Sequence, residues 1–201
     1  MFTQLRPALV LLTALTVITG LAYPLAMTGL AGFVFPAKAA GSLIVRDGTI
    51  VGSSLIGQSF TGAGYFHGRP SATTAPDPAD ATKTVPAPYN ASNSAGSNLG
   101  PTSAALAERV KSDLAALKAE DTSALVPVDL ATTSGSGLDP DISPEAAYFQ
   151  VHRIATDRGI PEATLRDLVA SHAEGRTLGI LGEPRVNVLA LNLALDDLAR
   201  R

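Results

Sequence analysis

The chain has 201 residues and a formal net charge of −3, from 15 Lys and Arg against 18 Asp and Glu. Nucleic-acid-binding proteins usually present a basic face, so this balance argues against that class of protein. Cysteine is absent, which excludes disulfide bonds, thiolate metal sites and a cysteine nucleophile. Charge is also unevenly placed, since residues 7–37 contain no Asp, Glu, Lys or Arg. An uncharged apolar segment therefore precedes a body of ordinary polarity, residues 41–201.

The apolar segment predicts a single transmembrane helix over residues 8–35. Crossing the hydrocarbon core takes about 20 apolar residues, and this segment is apolar on every side rather than amphipathic. Pro24 predicts a kink in its second half. The alternative is a cleaved signal peptide with a cleavage site near Ala39. A signal peptide has an apolar region of about 7 to 15 residues, so the longer segment favours the membrane anchor.

The few charges at the two ends of the helix predict its orientation. Residues 1–7 form a short N-terminal end that carries Arg6 and the terminal amino group. Positive charge in short flanking segments favours the cytoplasmic side of a membrane. We therefore expect a single-pass protein in the lipid bilayer, with residues 1–7 in the cytoplasm and the body outside it.

The first part of the body predicts β structure and loops. Two β-rich runs flank Asp47-Gly48, which favours a hairpin because both central turn residues need a positive φ. Residues 74–88 form a proline-rich polar insertion that need not pack against the rest of the body. The next helix is predicted from residue 102 to about Glu120.

The second part of the body predicts mostly helix. Residues 126–130 read as a strand, with Pro127 placing it at an edge. Helices are then predicted from Ser143 to Arg158, from Pro161 to His172, and from Asn187 to the C-terminus. The predicted fold class is α+β: one N-terminal transmembrane helix followed by one soluble α+β domain, residues 41–201.

No residue pattern in the body makes a convincing active site by itself. A phosphate-binding P-loop is excluded at residues 52–58, because Gln58 occupies the position where that motif needs a lysine. The three histidines, His67, His152 and His172, show no metal-ligand spacing, so no metal site is predicted. Aromatic residues in the Gly- and Pro-rich run at residues 64–71 are unusual for a disordered loop, and we interpret that run as either packed on its own domain or facing a partner.

Several longer motifs together resemble a known family, the C subunit of the Kdp-type potassium-transporting ATPase of bacterial membranes. They span nearly the whole chain: RPA at 6–8, YP at 23–24, GSLI at 41–44, GSSLIGQ at 52–58, YFHGRPSA at 65–72, YNA at 89–91, GSNL at 96–99, SGSGLDP at 134–140, RVNVL at 185–189 and LN at 191–192. The insertion at residues 74–88 departs from the family by its length.

The resemblance implies a bacterial inner-membrane protein that is not an enzyme by itself. Its implied partners are a channel-like potassium-translocating subunit, a P-type ATP-hydrolysing subunit and a small membrane subunit. Potassium would be the transported ion, and the chain would have no cofactor of its own. The family is described as a catalytic chaperone that raises the ATP affinity of the hydrolysing subunit. The alternative function, without the resemblance, is a secreted hydrolase with a cleaved signal peptide.

Two groups of site residues follow as hypotheses. A partner contact is expected at Tyr65, Phe66, His67, Gly68, Arg69 and Pro70. A nucleotide contact, which the family description implies, is expected at Ser134, Ser136, Asp139 and Gln150. ATP is cytoplasmic, so the nucleotide contact requires a cytoplasmic body and conflicts with the predicted orientation.

Overall fold

The computed structural model describes residues 2–120 and 125–199. It divides the chain into two compact units, one up to Ser53 and one from Ser54 onward. The first unit contains the apolar segment and a β-hairpin. The second contains the hydrophobic core.

A single helical stretch, Leu5–Val34, dominates the first unit. At about 1.5 Å per residue its 30 residues reach about 45 Å, more than the hydrocarbon core of about 30 Å. Within the described residues it is the one helix long and apolar enough to cross a membrane. Its most apolar stretch of 18 residues is not buried by the rest of the protein. The predicted membrane helix is thus present as a helix, although it begins three residues earlier than expected.

The helix accommodates Pro24 by a local change of winding. It consists of α1 (Leu5–Val17), a π-helical turn (Ile18–Ala22) and α2 (Tyr23–Val34). Proline has no N–H to donate to the preceding turn, and a π-helical turn is one way for a helix to absorb such a missing bond.

The hairpin predicted at Asp47-Gly48 is confirmed. A short helix α3 (Pro36–Ala39) precedes strands β1 (Leu43–Arg46) and β2 (Thr49–Ser53), which pair antiparallel. Asp47 has φ 51° and Gly48 has φ 76°, the two positive values that a two-residue hairpin turn needs.

The second unit is a mixture of short strands and longer helices, as the α+β prediction requires. Its elements are β3 (Thr74–Pro76), β4 (Thr84–Pro86), α4 (Ala104–Glu120), α5 (Val128–Ala131), β5 (Asp141–Ile142), α6 (Pro144–Arg158), α7 (Glu162–His172), β6 (Ala173–Glu174), β7 (Arg185–Asn187) and α8 (Val188–Ala199). Strands β5, β7 and β6 form a small antiparallel sheet in that order, with α6, α7 and α8 packed around it.

The strand predicted at residues 126–130 is wrong. Pro127 has an extended ψ of 140° and stands immediately before the short helix α5. Proline lacks the N–H that a strand would use, and its fixed φ suits the start of a helix. The Thr132 hydroxyl donates to the Val128 carbonyl at 2.8 Å, which caps the end of the turn. The alternation of apolar residues here reflects a short turn with Leu130 facing the core.

The insertion at residues 74–88 has more structure than its composition suggests. Strands β3 and β4 pair antiparallel, with Thr74 opposite Pro86 and Pro76 opposite Thr84. The Ala87 N–H also donates to the Thr73 carbonyl at 3.0 Å. The insertion is therefore a small hairpin whose base is fixed by the loop that precedes it.

The helix boundaries in the second half follow local signals in the sequence. The Ser143 hydroxyl accepts a hydrogen bond from the Ala146 N–H at 3.0 Å and caps α6, and Gly159 ends the helix at φ 66°. The Asn187 side-chain oxygen accepts from the Ala190 N–H at 3.0 Å and caps α8. These helices bury one core, whose most enclosed side chains are Phe66, Ile154, Leu165, Leu191, Leu195, Val151, Val169 and Val186.

Candidate functional site

The loop at residues 64–71 enters the core rather than lying on its surface. Phe66 is fully buried, and the side chain of Asn192, on α8, holds its peptide groups. The Asn192 side-chain oxygen accepts from the Phe66 N–H, and its amide nitrogen donates to the Phe66 carbonyl, both at 2.9 Å. Asn192 is 1% exposed. Its carboxamide thus satisfies two buried backbone groups, as a neighbouring strand would.

A second amide holds the next residue in the same way. The Gln150 oxygen, on α6, accepts from the His67 N–H at 2.7 Å, and its nitrogen donates to the His67 carbonyl at 3.1 Å. Arg153 donates to the same Gln150 oxygen at 2.8 Å. We call Asn192 and Gln150 together the amide clamp. Two consecutive residues of the loop are therefore fixed between α6 and α8.

The His67 ring points toward the start of its own loop. Its Nε2 lies 2.9 Å from the Gly62 carbonyl, which can only accept, so this nitrogen carries the proton. Burial lowers the pKa of His67, the Gly62 carbonyl opposes that change, and the nearby Arg153 charge lowers the pKa further. The His67 ring is therefore neutral near neutral pH. It holds the loop through its hydrogen bond to the Gly62 carbonyl.

Arg69 joins the two predicted sites. Its Nη1 lies 3.0 Å from Asp139 Oδ2, and both side chains are partly exposed. Arg69 comes from the predicted partner site, and Asp139 from the predicted nucleotide site. The Tyr89 hydroxyl supports this pair because it donates to the Arg69 carbonyl at 2.7 Å. The structure therefore places the loops at residues 64–71 and 134–139 side by side.

Tyr89 provides a spectroscopic test of this arrangement. Burial and then the Asp139 charge raise its pKa to about 12, from an ordinary value of 10.0. The protonated phenol therefore contributes stability that is complete below about pH 10 and is lost as the pH rises through about 12. We expect an alkaline titration, followed by ultraviolet absorbance of ionised tyrosine, to show a late step that Tyr89→Phe removes. A late step retained in the variant would assign that pKa to another tyrosine.

Within the loop at residues 134–139, the predicted nucleotide residues form internal hydrogen bonds. The Ser134 hydroxyl accepts from the Gly137 N–H at 2.8 Å, and the Ser136 hydroxyl accepts from the Leu138 N–H at 3.1 Å. Asp139 accepts from the Asp141 N–H at 3.1 Å as well as binding Arg69. Gln150 belongs to the amide clamp instead. The structure thus brings Asp139 to Arg69 and Gln150 to His67.

A cavity of 570 Å³ opens beside the Arg69–Asp139 pair. Arg185 Nε lies 3.3 Å from Asp141 Oδ2 at its wall. Burial raises the pKa of Asp141, while the Asn187 amide and the Arg185 charge oppose the rise. Among residues 2–120 and 125–199, no three His, Cys, Asp or Glu side chains are placed to hold a metal ion.

Sequence reasoning missed three residues that organise this region: Asn192, Tyr89 and Arg185. One feature of the sequence could have identified Asn192. It is a polar residue beside the apolar stripe of α8 that contains Leu191 and Leu195. A polar side chain at a core position has to find hydrogen-bond partners. The sequence does not show that the partner is a loop 126 residues earlier in the chain.

Comparison with known proteins decides the family. A family model described as "KdpC: K+-transporting ATPase, c chain" matches residues 5–197. The chain belongs to this family. Relatives named "Potassium-transporting ATPase KdpC subunit" include one from Methylorubrum extorquens, 80% identical over 201 residues and 100% of both chains. Another, from Bradyrhizobium diazoefficiens, is 68% identical over 201 residues, again 100% of both chains.

Membership of the KdpC family confirms the resemblance and the accessory-subunit role that it implied. The single N-terminal apolar helix is consistent with a single-pass membrane subunit. Nothing in these comparisons supports the alternative of a secreted hydrolase with a cleaved signal peptide.

Proposed function

We propose that the chain is a non-catalytic, membrane-anchored subunit that assembles with the other subunits of a bacterial potassium-transporting ATPase. These partners are a potassium-translocating subunit, a P-type ATP-hydrolysing subunit and a small membrane subunit. The family match over residues 5–197 carries the proposal. The exposed apolar helix Leu5–Val34 supports membrane anchoring in the inner membrane.

The body lies outside the cytoplasm in this proposal. Arg6 and the terminal amino group favour a cytoplasmic N-terminus, and one crossing places everything after the helix on the other side. The body then docks on the potassium-translocating subunit near the entrance for the ion.

An effect on ATP affinity is transmitted through the partner subunits, because ATP is cytoplasmic and the body is not. The internal hydrogen bonds of Ser134 and Ser136 favour this indirect effect. Direct nucleotide contact by Ser134, Ser136, Asp139 and Gln150 remains a prediction that requires a cytoplasmic body.

The partner contact at residues 65–70 uses the side of the loop that is not in the core. Phe66 fixes the shape of the loop from inside, whereas Tyr65, His67, Arg69 and Pro70 are partly exposed. His67 and Pro70 also line a cavity of 220 Å³ against α4. These side chains are the ones that remain available to another subunit.

Deleting the gene tests the function. We expect ATP-driven potassium uptake at low external potassium to be abolished, because the assembled complex would lack a subunit. Supplying the intact chain from a plasmid should restore uptake. Normal uptake in the deletion strain would contradict the proposal.

Protease treatment of sealed spheroplasts tests the orientation. We expect protease added from outside to digest the body while a cytoplasmic marker protein stays intact. Digestion would exclude nucleotide contact in the native topology. Full protection of the body, with digestion after the spheroplasts are opened, would reverse the proposed orientation.

A further inference from the structure

The middle of the membrane helix contains a break in its backbone hydrogen bonding. In an α-helix the Thr19 carbonyl would accept from the Tyr23 N–H, four residues later. Here the Tyr23 N–H donates to the Ile18 carbonyl instead, as the π-helical turn Ile18–Ala22 requires. The donor one position further along would be residue 24, and Pro24 has no N–H. The Thr19 carbonyl therefore has no donor in either helical spacing.

The nearest side-chain donor is already in use. The Thr19 hydroxyl donates to the Leu15 carbonyl at 2.7 Å, and a hydroxyl has only one hydrogen to donate. Gly20, the next residue, has no side chain. Neither the helical backbone nor the nearest hydroxyl therefore satisfies the Thr19 carbonyl.

This carbonyl lies at a depth where neither water nor lipid can satisfy it. Thr19 is at the middle of Leu5–Val34, about 20 Å from either end at about 1.5 Å per residue. The hydrocarbon core extends only about 15 Å to each side of the bilayer centre. Water is absent there and acyl chains carry no hydrogen-bond donor, so an unpaired carbonyl is costly. Membrane helices tolerate proline where a neighbouring helix satisfies the groups that it frees.

The surface beside this carbonyl is open to a neighbouring helix. Gly20 has no side chain, and a Cβ atom placed there would meet only the Thr16 Cγ2 atom, at 4.0 Å. Thr16 and Gly20 are four residues apart, so they share one side of the helix. Small residues at this spacing let two membrane helices approach closely. Both residues are exposed, so this side of the helix is accessible to another chain.

A second copy of this chain does not supply the donor. In a parallel pair with twofold symmetry the same patch faces itself, so Thr19 would face Thr19 and Gly20 would face Gly20. Each Thr19 hydroxyl already donates within its own helix, and glycine has no side-chain donor. The chemistry therefore favours a different helix, one with a hydroxyl or amide side chain at this depth.

We propose that the side of the membrane helix carrying Thr16 and Gly20 packs against a transmembrane helix of another ATPase subunit. A hydroxyl or amide side chain of that helix donates a hydrogen bond to the Thr19 carbonyl. The inference rests on the proposed function, since it needs a membrane-spanning chain assembled in the complex. It adds a contact inside the bilayer to the one proposed at residues 65–70.

Affinity purification of the complete complex tests the packing. Gly20→Leu should reduce co-purification of the other subunits by at least about tenfold, because the added side chain prevents close approach. Gly29→Leu is the matched control, since nine residues further along lies on the opposite side of the helix. A Cβ atom at Gly29 meets nothing within 4 Å, and co-purification should be unchanged. Circular dichroism should show equal folding of both variants, and equal co-purification by both would overturn the inference.

Replacing Pro24 tests the hydrogen bond itself. Pro24→Ala restores an N–H at this position, so the helix can pair its own carbonyls and the partner's donor loses its acceptor. We expect co-purification to fall by about three- to tenfold. Pro7→Ala makes the same change near the end of the helix, where water reaches the backbone, and should have no effect. Unchanged co-purification of Pro24→Ala would overturn the inference.

Photo-crosslinking in the complete complex identifies what lies against the helix. A photoreactive amino acid at position 16 should crosslink to another subunit. The same group at Ala14, on the opposite side of the helix, should give much less of that product. Crosslinks from position 16 only to lipid, only to a second copy of this chain, or to nothing would overturn the inference.

The outcomes separate this contact from the proposed function. If the wild-type chain does not co-purify with other subunits, the proposed function fails. If the wild-type chain co-purifies and the folded Gly20→Leu variant does so equally well, only the contact inside the bilayer fails.

Discussion

Replacing Phe66 by alanine is expected to lower the free energy of unfolding of the second unit by about 3–5 kcal/mol. The ring is fully buried and belongs to the cluster that contains Ile154, Leu165 and Leu195. Alanine loses the burial of the ring and leaves a cavity that α6 and α8 can close only in part. Domains are stable by about 5–15 kcal/mol in total, so this loss is a large fraction of the whole.

Urea unfolding of the detergent-solubilised full chain, followed by far-ultraviolet circular dichroism, measures the effect. The midpoint should fall while the slope with denaturant stays unchanged. Phe66→Leu keeps most of the buried volume and should lose much less. Leu178→Ala removes an exposed side chain and should change the midpoint little. A midpoint for Phe66→Ala equal to that of wild type would mean that the loop does not enter the core.

Phe66 also limits what the segment at residues 65–70 can do for a partner. Its ring cannot contact another subunit without leaving the core, so any contact must use neighbouring side chains such as Tyr65 or Arg69. Tyr65 is itself engaged, because the Arg158 guanidinium lies 4.4 Å from its ring centre. The proposed partner contact would therefore use the side of the loop opposite to the one that packs in the core.

The helices were predictable because their signals are local. Ser143 and Pro144 at one end and Gly159 at the other define α6 within a few residues of sequence. The turn at Asp47-Gly48 was predictable for the same reason, since the two residues themselves adopt the required positive φ.

Short elements without such signals were less predictable. The strand prediction at residues 126–130 rested on apolar alternation, which a single helical turn beside Pro127 also produces. The hairpin at residues 74–88 depends on pairing between Thr74 and Pro86, and its polar composition does not indicate that pairing.

The arrangement of the site depends on contacts that are distant in sequence. Arg69 and Asp139 are 70 positions apart, and Gln150 and His67 are 83 positions apart. The two groups of site residues were separate hypotheses because no local rule relates them. The loop at residues 64–71 brings them into one region, because it contacts α6 through Gln150 and contacts the loop at residues 134–139 through the Arg69–Asp139 pair.

Asn192 is the residue whose loss should disturb that packing most directly. In Asn192→Ala, the N–H and carbonyl of Phe66 would remain in the core without their partner. Each unsatisfied buried backbone group costs about 1–3 kcal/mol, so the loss of both partners should lower the free energy of unfolding by about 2–6 kcal/mol. The same urea experiment measures this loss. Asn93→Ala is the matched control, because Asn93 donates to Thr74 at an exposed position where water can replace it.

Asn192→Asp separates the role of the donor from that of the acceptor. The introduced carboxyl keeps an acceptor for the Phe66 N–H, but when ionised it has no donor for the Phe66 carbonyl. Burial raises the pKa of such a carboxyl, so the protonated form, which can donate, is favoured in the folded state. Its contribution is complete at low pH and is lost as the pH rises through the folded-state pKa. The unfolding midpoint of Asn192→Asp should therefore approach that of wild type at acidic pH, while the deficit of Asn192→Ala stays constant. Equal deficits for the two variants at every pH would show that the carboxamide nitrogen does not hold the loop.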